Sequence, residues 1–168
     1  YDRILPWVAN VCSRRMGVHP LATAVNTRML EKARYYRQTE FQVSESFYQH
    51  SNQFPIYGTG QGSGNSPALW CFVSSALFDA FKDRAHGATF SSYDRKFSIK
   101  LFMVGFVDDC NKKVNYFQAH PQPSSATLVR MMRHDAQLWN DLLWSSGGAL
   151  ELSKCSFQLI ETDWSERG

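Results

Sequence analysis

The chain has 168 residues, a length that predicts one domain over 1–168, and with 43% hydrophobic and 14% aromatic residues it is not a disordered protein. No apolar run approaches the roughly 18 residues of a membrane-spanning helix, so we expect no membrane partner. The net charge is +3, and positive charge is concentrated at one end, because residues 1–38 carry seven Lys and Arg and two acidic residues. On charge alone, a solvent-exposed helix face explains this end better than binding to a polyanion does.

The first third of the chain predicts two helices and a hairpin. A proline in the first turn and a glycine after the last one bound a helix over 5–16. Residues 20–37 predict a second helix, because apolar residues recur there at helical spacing: Ala22, Val25, Met29, Ala33 and Tyr36. The β-rich runs 39–44 and 54–58 predict a hairpin around a polar stretch.

A glycine-rich loop at 58–65 precedes the third predicted helix. We expect Ser66 to be the N-cap of this helix and Pro67 to occupy its first position. Residues 68–81 are apolar almost all round, which predicts a helix that is buried on every side and ends near Gly87.

The best strand of the chain is predicted at 97–107. Turn-forming residues follow it at 108–111, and 114–117 can return as its partner strand. The sequence therefore predicts an antiparallel hairpin whose tip carries acidic residues.

The last predicted helix begins at Ser124 or Ser125 and runs to about residue 145, where two glycines stop it. Two short strands, near 149–152 and 156–161, complete the chain. This mixture indicates an α+β fold, with one antiparallel sheet covered on one face by helices.

The four cysteines are widely spaced and form no C-x-x-C pair, which argues against a disulfide scaffold and against a zinc cluster. We expect free thiols that pack as small apolar residues, in an intracellular protein of the cytoplasm or nucleus. They are Cys12, Cys71, Cys110 and Cys155.

The strongest single feature is the pair Asp108-Asp109, which follows an apolar strand at the predicted hairpin tip. Adjacent carboxylates repel each other, and a divalent cation removes that repulsion. Mg²⁺ suits such oxygen ligands and takes one or two carboxylates together with substrate phosphates. For an isolated pair, a plain Asp-Asp turn is the better explanation.

The glycine-rich loop at 58–65 is a second feature that indicates phosphate binding, beside the Asp108-Asp109 pair. Glycines let the backbone approach a ligand closely, and the N-terminus of the helix that follows favours phosphate. The loop is not a G-x-G-x-x-G fingerprint, because Ser63 stands where the spacing from Gly58 needs a glycine. It is not a P-loop either, because no Gly-Lys-Ser/Thr follows it.

Together these segments resemble the palm domain of reverse transcriptases, in the style of retroelements without long terminal repeats and of group II intron enzymes. The Gln-Gly-x-x-x-Ser-Pro run at 61–67 is similar to the family's template- and nucleotide-contacting motif, and Phe106-Val107-Asp108-Asp109 to its aromatic-x-Asp-Asp catalytic turn. Gly147-Gly148 followed by Lys154 resembles a later motif near the phosphates of the incoming nucleotide. Tyr1-Asp2 resembles the end of the first catalytic motif.

The resemblance implies nucleotidyl transfer from a dNTP to the 3′-hydroxyl of a DNA primer on an RNA template. Asp108 and Asp109 would be catalytic and bind Mg²⁺, or alternatively Mn²⁺, and Lys154 would neutralise or protonate the leaving pyrophosphate. The residues implied to contact nucleotide or template are Tyr1, which would exclude a ribose 2′-hydroxyl, Gln61, Gly62, Ser66 and Phe106. The basic residues implied to contact the template backbone are Arg28, Lys32, Arg34 and Arg37.

The resemblance also implies a truncated palm. The first motif's catalytic Asp would precede Tyr1 by five residues, and the thumb and most of the fingers would be missing. We therefore expect the chain alone to bind metal weakly and to be inactive, with the activity belonging to a longer parent protein.

Three other functions compete with this interpretation of the sequence. A hydrolase with a nucleophile at Ser66 is nearly excluded, because Pro67 lacks the N–H group that an oxyanion hole needs. A viral RNA-dependent RNA polymerase would share the Asp pair but usually has Gly where Val107 stands. A decayed polymerase could only bind nucleic acid or act as a scaffold, although the intact motifs argue against decay.

The five histidines are scattered and show no i, i+4 pair. His134 and Asp135 are neighbours, but adjacent side chains of a helix point apart, so we expect both to be exposed to solvent.

Overall fold

The structure, a computed structural model, describes residues 3–53, 55, 57–58, 64–107, 109–116 and 124–160. The chain divides into two compact units. The first comprises Tyr1–Leu77 with Ser145–Gly148, and the second comprises Phe78–Trp144 with Ala149–Gly168. Among the described helices, none is both long enough and apolar enough to cross a membrane.

The architecture is α+β, as the sequence predicts. The elements in chain order are α1 (Pro6–Arg15), α2 (Pro20–Lys32), β1 (Tyr35–Gln38), β2 (Val43–Tyr48), α3 (Ser66–Lys82), β3 (Ala88–Ser91), β4 (Ser98–Leu101), β5 (Val104–Phe106), β6 (Asp109–Asn111), α4 (Ser125–Ser146) and a 3₁₀ helix (Leu152–Lys154).

The described strands form three separate antiparallel pairs, β1 with β2, β3 with β4 and β5 with β6. One continuous sheet was predicted, and the described residues do not form it. The predicted strand over 97–107 splits because β4 pairs backwards along the chain with β3, whereas β5 pairs forwards with β6. One apolar run thus supplies strands to two different pairs.

In the first unit α1 packs against α2. Helix α1 lies within the predicted bounds, with its proline in the first turn and Gly17 following it at φ +89°. The buried apolar residues of this unit are Ile4, Ala9, Cys12, Leu69, Val73 and Leu77. Burial raises the pKa of the Cys12 thiol, as expected for a packed cysteine, but the other three cysteines are exposed and do not pack as predicted.

Helix α2 ends at Lys32, five residues before the predicted end. The chain becomes extended at Ala33 and continues as β1, where Tyr35 stacks on Tyr48 of β2 with ring centroids 5.2 Å apart. Cross-strand aromatic pairs of this kind stabilise a hairpin and compete here with continuation of the helix. The predicted inner face of α2 is consequently unburied: Val25 and Met29 are exposed, and Thr23 is the residue of this helix that is buried.

Helix α3 begins one residue earlier than predicted, at Ser66 and not at Pro67. The Asn65 carbonyl accepts the Leu69 N–H at 3.0 Å, which makes Asn65 the N-cap and Ser66 the first helical residue. The helix is buried along one stripe rather than all round, because other apolar side chains of 68–81 are partly or fully exposed. The buried members of the stripe recur every four residues: Leu69, Val73, Leu77 and Phe81.

Helix α4 matches its predicted bounds, and the chain then reverses at Gly147 with φ +98°. The Leu5 N–H donates to the Ser146 carbonyl at 2.9 Å, which brings the residues before α1 against this turn. A Cβ at Gly147 would lie 2.4 Å from the Arg3 carbonyl oxygen. The strands predicted near 149–152 and 156–161 do not form in the described residues: 149–151 belong to no helix or strand, the 3₁₀ helix follows at Leu152–Lys154, and 155–160 form no strand.

We expect Gly147→Ala to lower the free energy of unfolding by at least about 2 kcal/mol, since it adds a left-handed backbone penalty to a clash with rigid backbone. Chemical denaturation measures the change. Gly64→Ala is the matched control, because a Cβ at Gly64 meets no atom within 4 Å. Equal stability of the two variants would contradict this account of the turn.

Candidate functional site

The predicted acidic turn lies at the end of a very tight hairpin. Strands β5 and β6 pair in the register Val104 with Asn111, Gly105 with Cys110 and Phe106 with Asp109. The connection is therefore only two residues long, 107 and 108. The partner strand starts at Asp109 itself, so the prediction that 114–117 return as the partner is wrong.

Val107, the first residue of this connection, has φ +55°. Two-residue hairpin loops require positive φ at this position, which glycine or asparagine usually supplies. A β-branched residue in the left-handed region is strained by about 1–2 kcal/mol, and such strain persists only where surrounding structure enforces it. Backbone strain of this kind concentrates at functional sites, so the turn is a functional candidate on geometry as well as on sequence.

An aromatic stack lies beneath the hairpin. A Cβ at Gly105 would lie 2.6 Å from Cζ of Phe78, so the Phe78 ring is in close contact with the backbone of β5. Phe78 stacks on Trp139 of α4 with centroids 5.3 Å apart, and Trp139 makes an edge contact with Phe81. The last turns of α3 and the middle of α4 thus fix the strand that leads into the turn.

Of the predicted site residues, the structure brings Phe106 and Asp109 together as a cross-strand pair with both side chains exposed. Lys154 is exposed in the 3₁₀ helix of the second unit. Ser66 lies in the first unit with only 1% of its surface exposed. The remaining predicted residues lie outside the described part of the chain: Tyr1, Gln61, Gly62 and Asp108.

The second unit also holds a charged cluster around Asp135, whose side chain is fully buried. Oδ1 of Asp135 lies 2.7 Å from Nδ1 of His86 and 3.0 Å from Nδ1 of His134. Because a carboxylate only accepts hydrogen bonds, each of these Nδ1 atoms donates. Oδ2 accepts the His86 backbone N–H at 2.9 Å and a hydrogen bond from the Lys112 ammonium.

Burial disfavours the charged form of Asp135, but hydrogen bonds from Lys112, His134 and His86 outweigh it and lower the pKa of the carboxyl from 3.8 to about 2. Burial also lowers the pKa of the Lys112 ammonium, and the contact with Asp135 opposes that effect. Lys112 is only 9% exposed and lies 4.6 Å from the centre of the Phe81 ring. Asp135 therefore balances a largely buried cation.

The sequence prediction for this cluster is wrong for Asp135, which is buried and not exposed. Adjacent residues of a helix do diverge, but the short carboxylate of Asp135 points inward and the His134 ring reaches back to it. Lys112 and His86 are distant in sequence and follow different elements, so no spacing pattern could group them. An ionisable residue on the apolar side of α4, near Leu138 and Leu142, was the one available signal.

Comparisons of the chain with protein-family models, with curated proteins and with solved structures find no match. A proposal about function therefore rests on the motifs and the geometry of the chain itself.

We expect Val107→Gly to raise the free energy of unfolding by about 1 kcal/mol, because glycine relieves the strain at positive φ. Val104→Gly, in the exposed β-conformation of the same hairpin, is the control and should lower it by about 0.5–1 kcal/mol. Thermal and urea denaturation compare the two. Destabilisation of similar size in both variants would refute the strain at Val107.

We expect Asp135→Asn to lower the free energy of unfolding by about 3–5 kcal/mol, because it leaves Lys112 buried without its counter-charge. Asp141→Asn, at an exposed position of the same helix, is the matched control and should change stability by less than about 0.5 kcal/mol. Urea denaturation at neutral pH measures both.

The stability that Asp135→Asn loses should depend on pH. The folded-state pKa of Asp135 is depressed, so its ionisation stabilises the fold above about pH 4 and that contribution, about 2 kcal/mol, disappears as the pH falls through 2. The stability difference between the wild type and Asp135→Asn should narrow by this amount between pH 6 and pH 2. A difference that is independent of pH would contradict the depressed pKa.

Proposed function

We propose that this chain is part of the palm of an RNA-directed DNA polymerase of the retroelement or group II intron type, which adds dNTPs to a primer 3′-hydroxyl. One observation carries the proposal. In the aromatic-x-Asp-Asp motif, Phe106 pairs with Asp109 across two antiparallel strands, and Val107 between them is strained at positive φ. In this proposal β5 and β6 are the catalytic hairpin of a palm.

The exposure of the hairpin end supports this function. Phe106 has 78% of its surface exposed and Asp109 is exposed beside it, so a primer terminus and a nucleotide can approach the turn from solvent. The strand behind the turn is held from below by Phe78. A fixed strand behind an accessible carboxylate is what a nucleotidyl-transfer site needs in order to position its reactants.

The donor set fits Mg²⁺, with Mn²⁺ as the alternative, because two carboxylates adjacent in sequence are hard oxygen ligands, and a site with one or two of them leaves positions for phosphate oxygens and water. Asp108 and Asp109 would hold the metal. When bound, it supplies neutralisation of the charge that develops on the phosphate as the primer hydroxyl attacks.

The other predicted residues keep, in the proposal, the roles that the resemblance implies for them. Lys154 neutralises or protonates the pyrophosphate that leaves when the primer oxygen bonds to the α-phosphate. Phe106 packs near the nucleotide, Gln61 and Gly62 line its junction with the template, and Tyr1 excludes a ribose 2′-hydroxyl. Ser66 contributes through the start of α3, since its own side chain is buried.

The nearest alternative is a viral-type RNA-dependent RNA polymerase, and the sequence at Val107 favours the DNA polymerase over it. A catalytically dead polymerase that binds nucleic acid is the other alternative. Incorporation of dNTPs but not of NTPs on a primed RNA template would exclude the RNA-dependent RNA polymerase. Template binding without any synthesis would identify the catalytically dead polymerase.

We expect Asp108→Asn in the parent protein to reduce primer extension by about 1000-fold, which corresponds to losing several kcal/mol of metal-dependent stabilisation of the transition state. The assay is dNTP incorporation on an RNA template with Mg²⁺. Template binding should be unchanged, because the substitution removes one charge and leaves the fold intact.

Asp83→Asn, an exposed carboxylate just beyond α3, is the control and should retain full activity. Retained synthesis in Asp108→Asn would overturn the assignment of the turn as catalytic. Loss of synthesis in both variants would show that a general charge effect had been measured.

A further inference from the structure

Two imidazoles converge on one oxygen of a buried carboxylate in the second unit. One ring nitrogen of His86, one ring nitrogen of His134 and a carboxylate oxygen of Asp135 all lie within 4.8 Å of one another. We propose that these three residues bind one divalent transition-metal ion of the zinc class. The ligands are the two Nδ1 atoms and Oδ1.

The donor atoms need only small movements to accept such an ion. In a tetrahedral zinc site with bonds of about 2.0–2.1 Å, neighbouring ligand atoms lie about 3.3 Å apart. Here Nδ1 of His86 and of His134 are 2.7 Å and 3.0 Å from Oδ1. Metal binding replaces these two hydrogen bonds, and each neutral ring then carries its proton on Nε2 instead of Nδ1.

The opposite oxygen of Asp135 is already fixed. Oδ2 accepts the His86 backbone N–H and the Lys112 ammonium, so the carboxylate stays oriented with Oδ1 toward the imidazoles whether or not a metal is bound. Such outer contacts orient the ligands in metalloproteins. The positive charge of Lys112 weakens the attraction for a cation, and the contact of its ammonium with the Phe81 ring and with Oδ2 keeps that charge on the side of the carboxylate away from Oδ1.

The site is open on one side. The side chains of His86 and His134 are 35% and 56% exposed, so an ion can enter from solvent and water can complete its coordination. Three protein ligands with one open position is the arrangement of catalytic zinc sites. Imidazole ligands favour zinc-class ions over Mg²⁺, so this site is independent of the carboxylates at 108–109.

Co²⁺ is a suitable probe, because its visible absorption reports tetrahedral nitrogen and oxygen ligation. Titration of the metal-free protein should show one Co²⁺ per chain, and excess Zn²⁺ should displace it. Affinity measured by calorimetry should fall at least tenfold in His86→Gln and in His134→Gln. His50→Gln, which alters a histidine of the first unit, should leave affinity unchanged.

Three results would overturn the proposal: no stoichiometric binding, unchanged affinity in His134→Gln, or a thiolate-to-cobalt charge-transfer band that places the ion on the exposed cysteines. His134 is on the solvent side of α4, so His134→Gln should fold. If His86→Gln does not fold, the metal affinity of His134→Gln tests the proposal by itself. Zn²⁺ should also raise the melting temperature of the wild type but not of His134→Gln.

Discussion

The second unit depends on one buried negative charge. Asp135 has no exposed surface, and within the described part of the chain it accepts four hydrogen bonds: two from His86, which follows α3, one from Lys112, which follows β6, and one from His134 of its own helix. A buried carboxylate is costly unless cations and donors surround it, so these segments must meet at this point for the unit to fold. The interaction thereby fixes where β6 ends relative to α4, and β6 begins at the Asp-Asp turn.

The β5–β6 hairpin is also fixed by the packing of apolar side chains, in addition to the charged contacts of Asp135. Gly105 lies against the Phe78 ring, which Trp139 in turn fixes by stacking. Asn115 adds a further tie, because its side-chain amide bonds both the N–H and the carbonyl of Thr89 along β3. Held in these ways, a two-residue connection can keep Val107 at positive φ despite its strain.

Local signals predicted the elements that local chemistry controls. The bounds of α1 and α4 follow from a proline and from glycines, and the hairpin turn follows from Asp-Asp after an apolar strand. The predictions of secondary structure were wrong where pairing with another strand determines which residues form a strand. Residues 35–38 leave the helical pattern to pair with β2, and the run 97–107 splits between two partners. Strand propensity identifies residues that can pair but cannot identify the partner.

By itself the sequence determined the α+β class, the acidic turn and the motif order on which the polymerase proposal rests. Only the tertiary structure decided that Asp135 is buried, that two histidines and a lysine surround it, and that the turn is strained and supported by an aromatic stack. The reason is physical: helix caps and turns are set by neighbours within a few residues, whereas the burial of a charge depends on which remote segments supply its hydrogen bonds.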